Sequence, residues 1–247
     1  MSTELVGNPT DSAWLSGLAK AMSENLEFGD AYDALIGAIR LACPHASGNS
    51  ILVTSAEPGE GKTTISSGLA VAASLAGQKA LLIDGDLRRL SLSEAVGCAG
   101  SRGLIEILLG QAEAAEVIRP VTLMASRPAN VVSFIAGGRR SSISLTAVDW
   151  AKARSAFKSF SQQFGIVVVD SPPVLAANDA LLFAGIVDAV LLVVGAGKAN
   201  IGEVRRAKEQ LESIGAPSVG AILNRFEPRR HGRSNQPYRG YYRRART

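Results

Sequence analysis

An α/β fold, with a mostly parallel sheet and helices on both faces, is what the patterning of this 247-residue chain predicts. Three observations lead there. Short aliphatic runs at 51–53, 79–84, 166–169 and 189–194 lack polar alternation, as strands buried on both faces do. Between them lie longer segments with apolar residues three and four apart, the spacing of helices. Apolar residues make up 47% of the chain and aromatics only 5%, a mix that suits such strands under alanine-rich helices. Strand alternating with helix gives a parallel sheet with right-handed crossovers, and this length suffices for one large domain with short appendages.

Residues 1–45 read as an N-terminal helical arm. Helical spacing runs over 12–27 (Trp14, Leu15, Leu18, Met22, Leu26) and again over 31–42 (Leu35, Ile36, Ile39). Cys43-Pro44 and the polar stretch 47–50 break the chain before the body, 46–226. The body opens with a strand at 51–54, the segment SAEPGEGKTT, and a helix over 63–77. A strand at 79–84 runs into Asp84-Gly85-Asp86-Leu87-Arg88. A short helix over 103–109, a strand at 131–135 and a loop over 137–144 follow. An amphipathic helix over 147–164 carries Lys152, Arg154 and Lys158 on its wet side. The strand 166–169 ends in Asp170-Ser171-Pro172-Pro173. A helix at 178–185, a strand at 189–194, a helix at 201–214 and a strand at 219–223 ending at Asn224 complete it. The composition of 227–247 cannot make a core, so these residues read as a disordered basic tail.

The chemistry sits where the strands end. In SAEPGEGKTT, Gly59 and Gly61 let the backbone curl so that its N–H groups point inward at a phosphate. The helix that follows adds the positive end of its dipole. Pro58, Gly59, Glu60, Gly61, Lys62, Thr63 and Thr64 therefore form a candidate phosphate-binding loop, and the fold is P-loop NTPase-like. Lys62 would reach the β- and γ-phosphates of ATP, and Thr63 would offer its hydroxyl to Mg²⁺. That metal needs an acid, usually through water, and Asp170 is the expected provider. Asp84 and Asp86 alternate along an extended segment, so both can face the site only if the chain turns at Gly85. One could then activate an attacking hydroxyl while the other orders the metal's waters. Ligands of such sheets sit at the carboxyl ends of the strands, where the loop, Asp84, Asp86, Asp170 and Asn224 all fall.

Charge is uneven. From Arg225 onward eight arginines face one acid, Glu227, a net +7, which leaves the rest at −3. Three of the four tyrosines, Tyr238, Tyr241 and Tyr242, lie in the last ten residues. They read either as phosphate acceptors or, with the arginines, as a patch for nucleic acid or anionic lipid. Cys43 and Cys98 make neither a disulfide framework nor a metal cluster. The polar start MSTELVGNPT is not a signal peptide, and the longest apolar stretch, 180–197, is interrupted by Asp188. The expectation is a cytoplasmic protein.

Three motifs in order resemble the bacterial tyrosine kinases that control capsule and exopolysaccharide synthesis: AEPGEGKTT, the aliphatics with Asp-x-Asp-x-Arg at 81–88, and the aliphatics with Asp-x-Pro-Pro at 167–173. Weaker likenesses lie at 103–105, 177–180 and 220–224. The resemblance implies an ATP- and Mg²⁺-dependent autokinase whose acceptors are Tyr238, Tyr241 and Tyr242, usually phosphorylated between neighbouring subunits. It implies that Lys62 and Thr63 bind phosphate and metal, Asp170 holds the metal, Asp84 activates the tyrosine hydroxyl and Asp86 assists the metal. Asn224 would contact adenine. The implied partner is a membrane polysaccharide co-polymerase whose cytosolic segment activates the kinase, recruiting it to the inner face of the membrane, and a homo-oligomer is implied too. The family tends to carry an acid followed by arginines three and six positions on. Here those places are Asp30, Asp33 and Ile36, so the usual ring contact is not carried over. The tail's three tyrosines are also fewer than in many such clusters.

Two alternatives stay open. A partition- or division-site-type switch ATPase shares the fold but usually has a further lysine early in the loop, where this chain has Glu57. A nucleotide-binding regulator of polysaccharide export that has lost transfer is the other. No specific nucleic-acid partner is expected.

Overall fold

The computed structural model describes residues 10–42, 50–124, 126, 129–139, 148–217 and 219–226. In chain order the elements are β1 (Thr10–Asp11), α1 (Ala13–Glu24), α2 (Leu26–Ala42), β2 (Ser50–Ser55), α3 (Lys62–Leu75), β3 (Ala80–Asp84), α4 (Ser91–Val96), α5 (Leu104–Leu108) and α6 (Ala114–Val117). Then come β4 (Arg119–Thr122), β5 (Val131–Ile135), α7 (Trp150–Gln163), β6 (Ile166–Asp170), α8 (Asp179–Ala184), β7 (Ala189–Gly195), α9 (Ile201–Ser213) and β8 (Val219–Asn224).

The eight strands form one sheet in the order β1-β4-β5-β3-β6-β2-β7-β8. The aliphatic runs supply its centre, and every residue of β2, β3 and β6 is buried. Their side chains alternate between two cores. Ile51 and Val53 pack with α1, α2 and α3 on one face, while Leu52 joins α7, α8 and α9 on the other. Val168 and Val169 divide in the same way. That two-sided burial is why these strands show continuous apolarity rather than alternation.

The mostly parallel sheet is as expected, with one exception. Strand β4 runs antiparallel to β5, pairing Val121 with Val132, and the two-residue β1 lies parallel on its far side. Neither was foreseen, because β4 contains Pro120 and both are too short to show a period. The short helices α4 and α6 were missed for the same reason. The long helix expected from 147 begins at Trp150, where Asp149 Oδ1 accepts hydrogen bonds from the N–H groups of Ala151 and Lys152, both at 3.1 Å. The Cys43-Pro44 break, most of the 47–50 stretch, most of the 137–144 loop and the tail lie outside the described residues.

The N-terminal helices share the core of the body. Between them only Asn25 departs from helix, and its side chain accepts from the Phe28 N–H at 3.3 Å. Leu15, Ala19, Met22, Tyr32 and Ile36 are buried in the same cluster as β2 and α3. Trp14 Nε1 donates to Ser67 Oγ at 3.0 Å, and Tyr32 OH donates to the Thr64 carbonyl at 3.3 Å. Burial pushes the Tyr32 phenol up to about 12, so it stays a neutral donor. Helices α2 and α3 approach closely because α3 has Gly68 at the contact. A Cβ there would run into the Tyr32 ring. Gly68→Ala is therefore expected to destabilise the chain by roughly 1–3 kcal/mol through overpacking. A melting temperature equal to the parent's would show that this contact is looser than described.

Candidate nucleotide-binding site

The loop between β2 and α3 turns through two left-handed glycines, Gly59 at φ +80° and Gly61 at φ +101°. Gly61 is the residue before the helix, so α3 begins at Lys62 itself. The N–H groups of Lys62, Thr63 and Thr64 are in the first turn, where no helical acceptor precedes them, and with the helix dipole behind them they are donors suited to an anion. The loop opens on a cleft of about 180 Å³ lined by Pro58, Gly59, Gly61, Lys62, Thr63 and Thr64, with Asp86 and Asp170 opposite.

Glu60 keeps its place in the loop backbone while its side chain serves the loop's own fold. Its carboxylate is 1% exposed and turned inward, accepting from the Glu57 N–H at 3.0 Å and from the Gly195 N–H at 3.1 Å. It braces the loop against the end of β7. Asn224 likewise stands behind the lining. Its Nδ2 donates to the Glu60 carbonyl at 2.8 Å and its Oδ1 accepts from the Arg225 N–H at 2.9 Å. Each end of the amide makes one bond within the protein, with a second Nδ2 proton and a second Oδ1 lone pair left over. Arg225 lines the cleft in its place, in a left-handed conformation at φ +59°.

The acids separate into distinct environments. Asp84 and Asp170 are paired across neighbouring strands, at the ends of β3 and β6. Asp170 is 2% exposed; its Oδ2 accepts from Thr63 Oγ1 at 2.7 Å, and its Oδ1 has no hydrogen-bond partner. Burial pushes its carboxyl up to about 7, helped by the charge of Asp84 and opposed by Thr63, Lys62 and Ser66. Burial also lowers the Lys62 ammonium, against the pull of Asp170, Asp86 and Glu60. An unpartnered carboxylate oxygen beside a threonine hydroxyl and a phosphate loop is a hard, all-oxygen donor set of the kind Mg²⁺ takes. The residues present fit that ion.

Asp84 is fully buried and does not line the cleft. Its Oδ2 accepts from both the N–H and the hydroxyl of Ser93, at 2.8 and 2.6 Å, and its Oδ1 accepts from the Asp86 N–H at 3.2 Å. Burial raises it to about 6. The condition for both acids to face the site is not met, since the chain turns after Gly85, at residues 87–89. Gly85 N–H donates to the Asp170 carbonyl at 2.7 Å, and a Cβ would lie 2.8 Å from that oxygen. This closeness sends Asp84 inward and brings Asp86 to the cleft wall. Arg88 extends away to an ion pair with Asp179 at 3.4 Å, which ties the turn to α8. Arg89, Ser91, Ser171 and Pro173 also line the cleft. Arg89 follows directly from the motif; Ser91 carries no sequence signal of its own. Tyr238, Tyr241 and Tyr242 lie outside the described residues.

Comparison with known proteins agrees with this geometry. The family model for the CobQ/CobB/MinD/ParA nucleotide binding domain matches residues 51–241. Tyrosine-protein kinase YwqD of Bacillus subtilis is 30% identical over 194 residues, covering 78% of this chain and 77% of that protein. The putative tyrosine-protein kinase EpsB of Ralstonia solanacearum is 28% identical over 199 residues, 81% of this chain but only 26% of its own length. The solved kinase domain of the Escherichia coli tyrosine kinase ETK superposes with a TM-score of 0.70 at 27% identity, covering 81% of this chain and 77% of that one. Among the described residues no helix is long and apolar enough to cross a membrane.

Proposed function

Because this chain belongs to the CobQ/CobB/MinD/ParA nucleotide-binding domain family, and within it to the bacterial tyrosine-protein kinases, we propose that it transfers the γ-phosphate of ATP to tyrosines of its own C-terminal segment. The observation that carries this reading is the bond from Thr63 Oγ1 to a buried Asp170 whose second oxygen is unpartnered, at the foot of the phosphate loop.

The loop amides and Lys62 would hold the phosphates, and Thr63 and Asp170 would hold Mg²⁺. The ion supplies charge neutralisation at the phosphate oxygens. The tyrosine oxygen bonds to the γ-phosphorus as the bond to the bridging oxygen breaks, ADP departs, and the phenolic proton passes to a carboxylate. Asp86 lines the cleft, while Asp84 is sealed behind Ser93. We therefore assign the proton to Asp86 and give Asp84 the task of holding the Asp86 N–H and α4 in place. This moves to Asp86 the role that the resemblance implies for Asp84, and leaves Asp84 a positioning residue.

The acceptors are Tyr238, Tyr241 and Tyr242. The activating partner is the cytosolic segment of a membrane co-polymerase in a capsule or exopolysaccharide system, which would bring a cytoplasmic kinase to the membrane. A homo-oligomer serves transfer between copies.

The test is mass-spectrometric mapping of phosphotyrosine after incubation with Mg-ATP, with and without that segment. Phosphate is expected on the tail and is lost when all three tyrosines become phenylalanine. Asp86→Asn is expected to cost more in transfer rate than Ser93→Ala, which unseals Asp84. A tail that stays unmodified while ATP binds would move the reading to a regulator or a switch ATPase.

A further inference from the structure

We propose that Lys198 is a second phosphate-contacting cation, reaching the terminal phosphate of a bound nucleoside triphosphate from outside the loop. The proposal deepens the reading above and rests on it.

Lys198 lies in the turn between β7 and α9, 140 residues from the loop it touches. Its Nζ donates to the Pro58 carbonyl at 3.2 Å. It fills the space left by the missing side chain of Gly59, where a Cβ would lie 2.6 Å from the ammonium. Among the described residues no carboxylate pairs with it. An ammonium has three donors, and one bond to a neutral carbonyl leaves two for an anion.

The turn that carries Lys198 is fastened to the loop. Gly195 N–H donates to Glu60 Oε1 at 3.1 Å, and Ala196 N–H donates to the Asn224 carbonyl at 2.8 Å. Asn224 Nδ2 in turn holds the Glu60 carbonyl. Two backbone anchors precede Lys198, so its stem starts from a set position while its head is exposed. Lys62 approaches the phosphates from the helix side, and Lys198 stands over the opposite limb of the loop, at Pro58 and Gly59. The added charge of a triphosphate is what a cation at the rim would sense, so the contact distinguishes ATP from ADP.

The test uses the full chain with Mg²⁺ and fluorescent N-methylanthraniloyl derivatives of ATP and ADP, binding being read without any transfer. Lys198→Met is expected to weaken ATP binding about tenfold, the loss of one charge-assisted contact, with ADP changed much less. Lys198→Arg should restore most of the preference, because the charge is kept. Equal loss for both nucleotides would reduce Lys198 to a brace on Pro58 and overturn the proposal, as would no loss for either. A parent chain that binds neither nucleotide would overturn this proposal together with the kinase reading, and that outcome shows in the parent arm alone.

Discussion

Lys62→Met is expected to abolish phosphotyrosine formation, a fall of about 10³-fold or more in rate, while the chain stays folded. Methionine keeps the length and helix preference of the lysine stem at the first position of α3. What it removes is the loop's own ammonium, in a cleft wall that also carries Asp86, Asp170, Arg89 and Arg225. Transfer of a phosphoryl group relies almost entirely on placed charge. Burial already draws the Lys62 ammonium below its ordinary value, so its charge is held by those acids and by any phosphate that arrives. Nucleotide binding should weaken rather than vanish, since the loop amides remain. The measurements are phosphotyrosine mapping and a thermal melt on the same preparation. Transfer at the parent rate in a folded variant would remove the phosphate loop from the mechanism.

Asp170→Asn is expected to have a double effect: loss of Mg-ATP-dependent transfer and a gain in stability of the nucleotide-free chain near pH 8. The gain follows from the direction of the shift. A carboxyl raised from 3.8 to about 7 binds its proton more tightly folded than unfolded. Its contribution to stability is present in full below about pH 4 and is lost as pH rises to about 7, after which it stays lost. At roughly 1.4 kcal/mol per pKa unit, the charged residue costs on the order of a few kcal/mol at pH 8. Asparagine avoids that cost and can still accept the Thr63 hydroxyl bond. A chain of this size gains roughly 2–4 °C per kcal/mol. The advantage should shrink towards pH 5 and close near pH 4. Mg-ATP should raise the melting temperature of the parent and leave that of the variant unmoved. A variant less stable than its parent at pH 8 would mean that Asp170 serves the fold before it serves a metal.

The parts of the site that could be read from the sequence are those built from contiguous residues. Gly59 to Thr64 and the ends of β3 and β6 carry their chemistry in local order, and a parallel sheet brings strand ends together without further information. The parts that could not be read depend on distant partners. Glu60 looks like one more loop residue until Gly195, 135 positions away, takes its carboxylate. Asn224 gives no sign in the sequence that its amide holds the loop's own backbone, 164 positions away. Ser93 gives no sign that it seals Asp84, because α4 is six residues long and shows no period. In the fold, β1 and β4 failed to show for a similar reason. Their pairing is set by tertiary neighbours, and Pro120 argues locally against a strand.

The hydrogen bond from Trp14 to Ser67 gives the chain an optical property. It has two tryptophans, and the sheet separates them. Trp14 rests on α3, within two turns of Lys62, while Trp150 stacks edge-on to Phe183 in the opposite core, with ring centroids 6.2 Å apart. Intrinsic emission from this protein therefore has two addresses. One chromophore is wired to the helix that receives the phosphates, and the other reports on the far layer. Replacing either one isolates the other, with no dye attached.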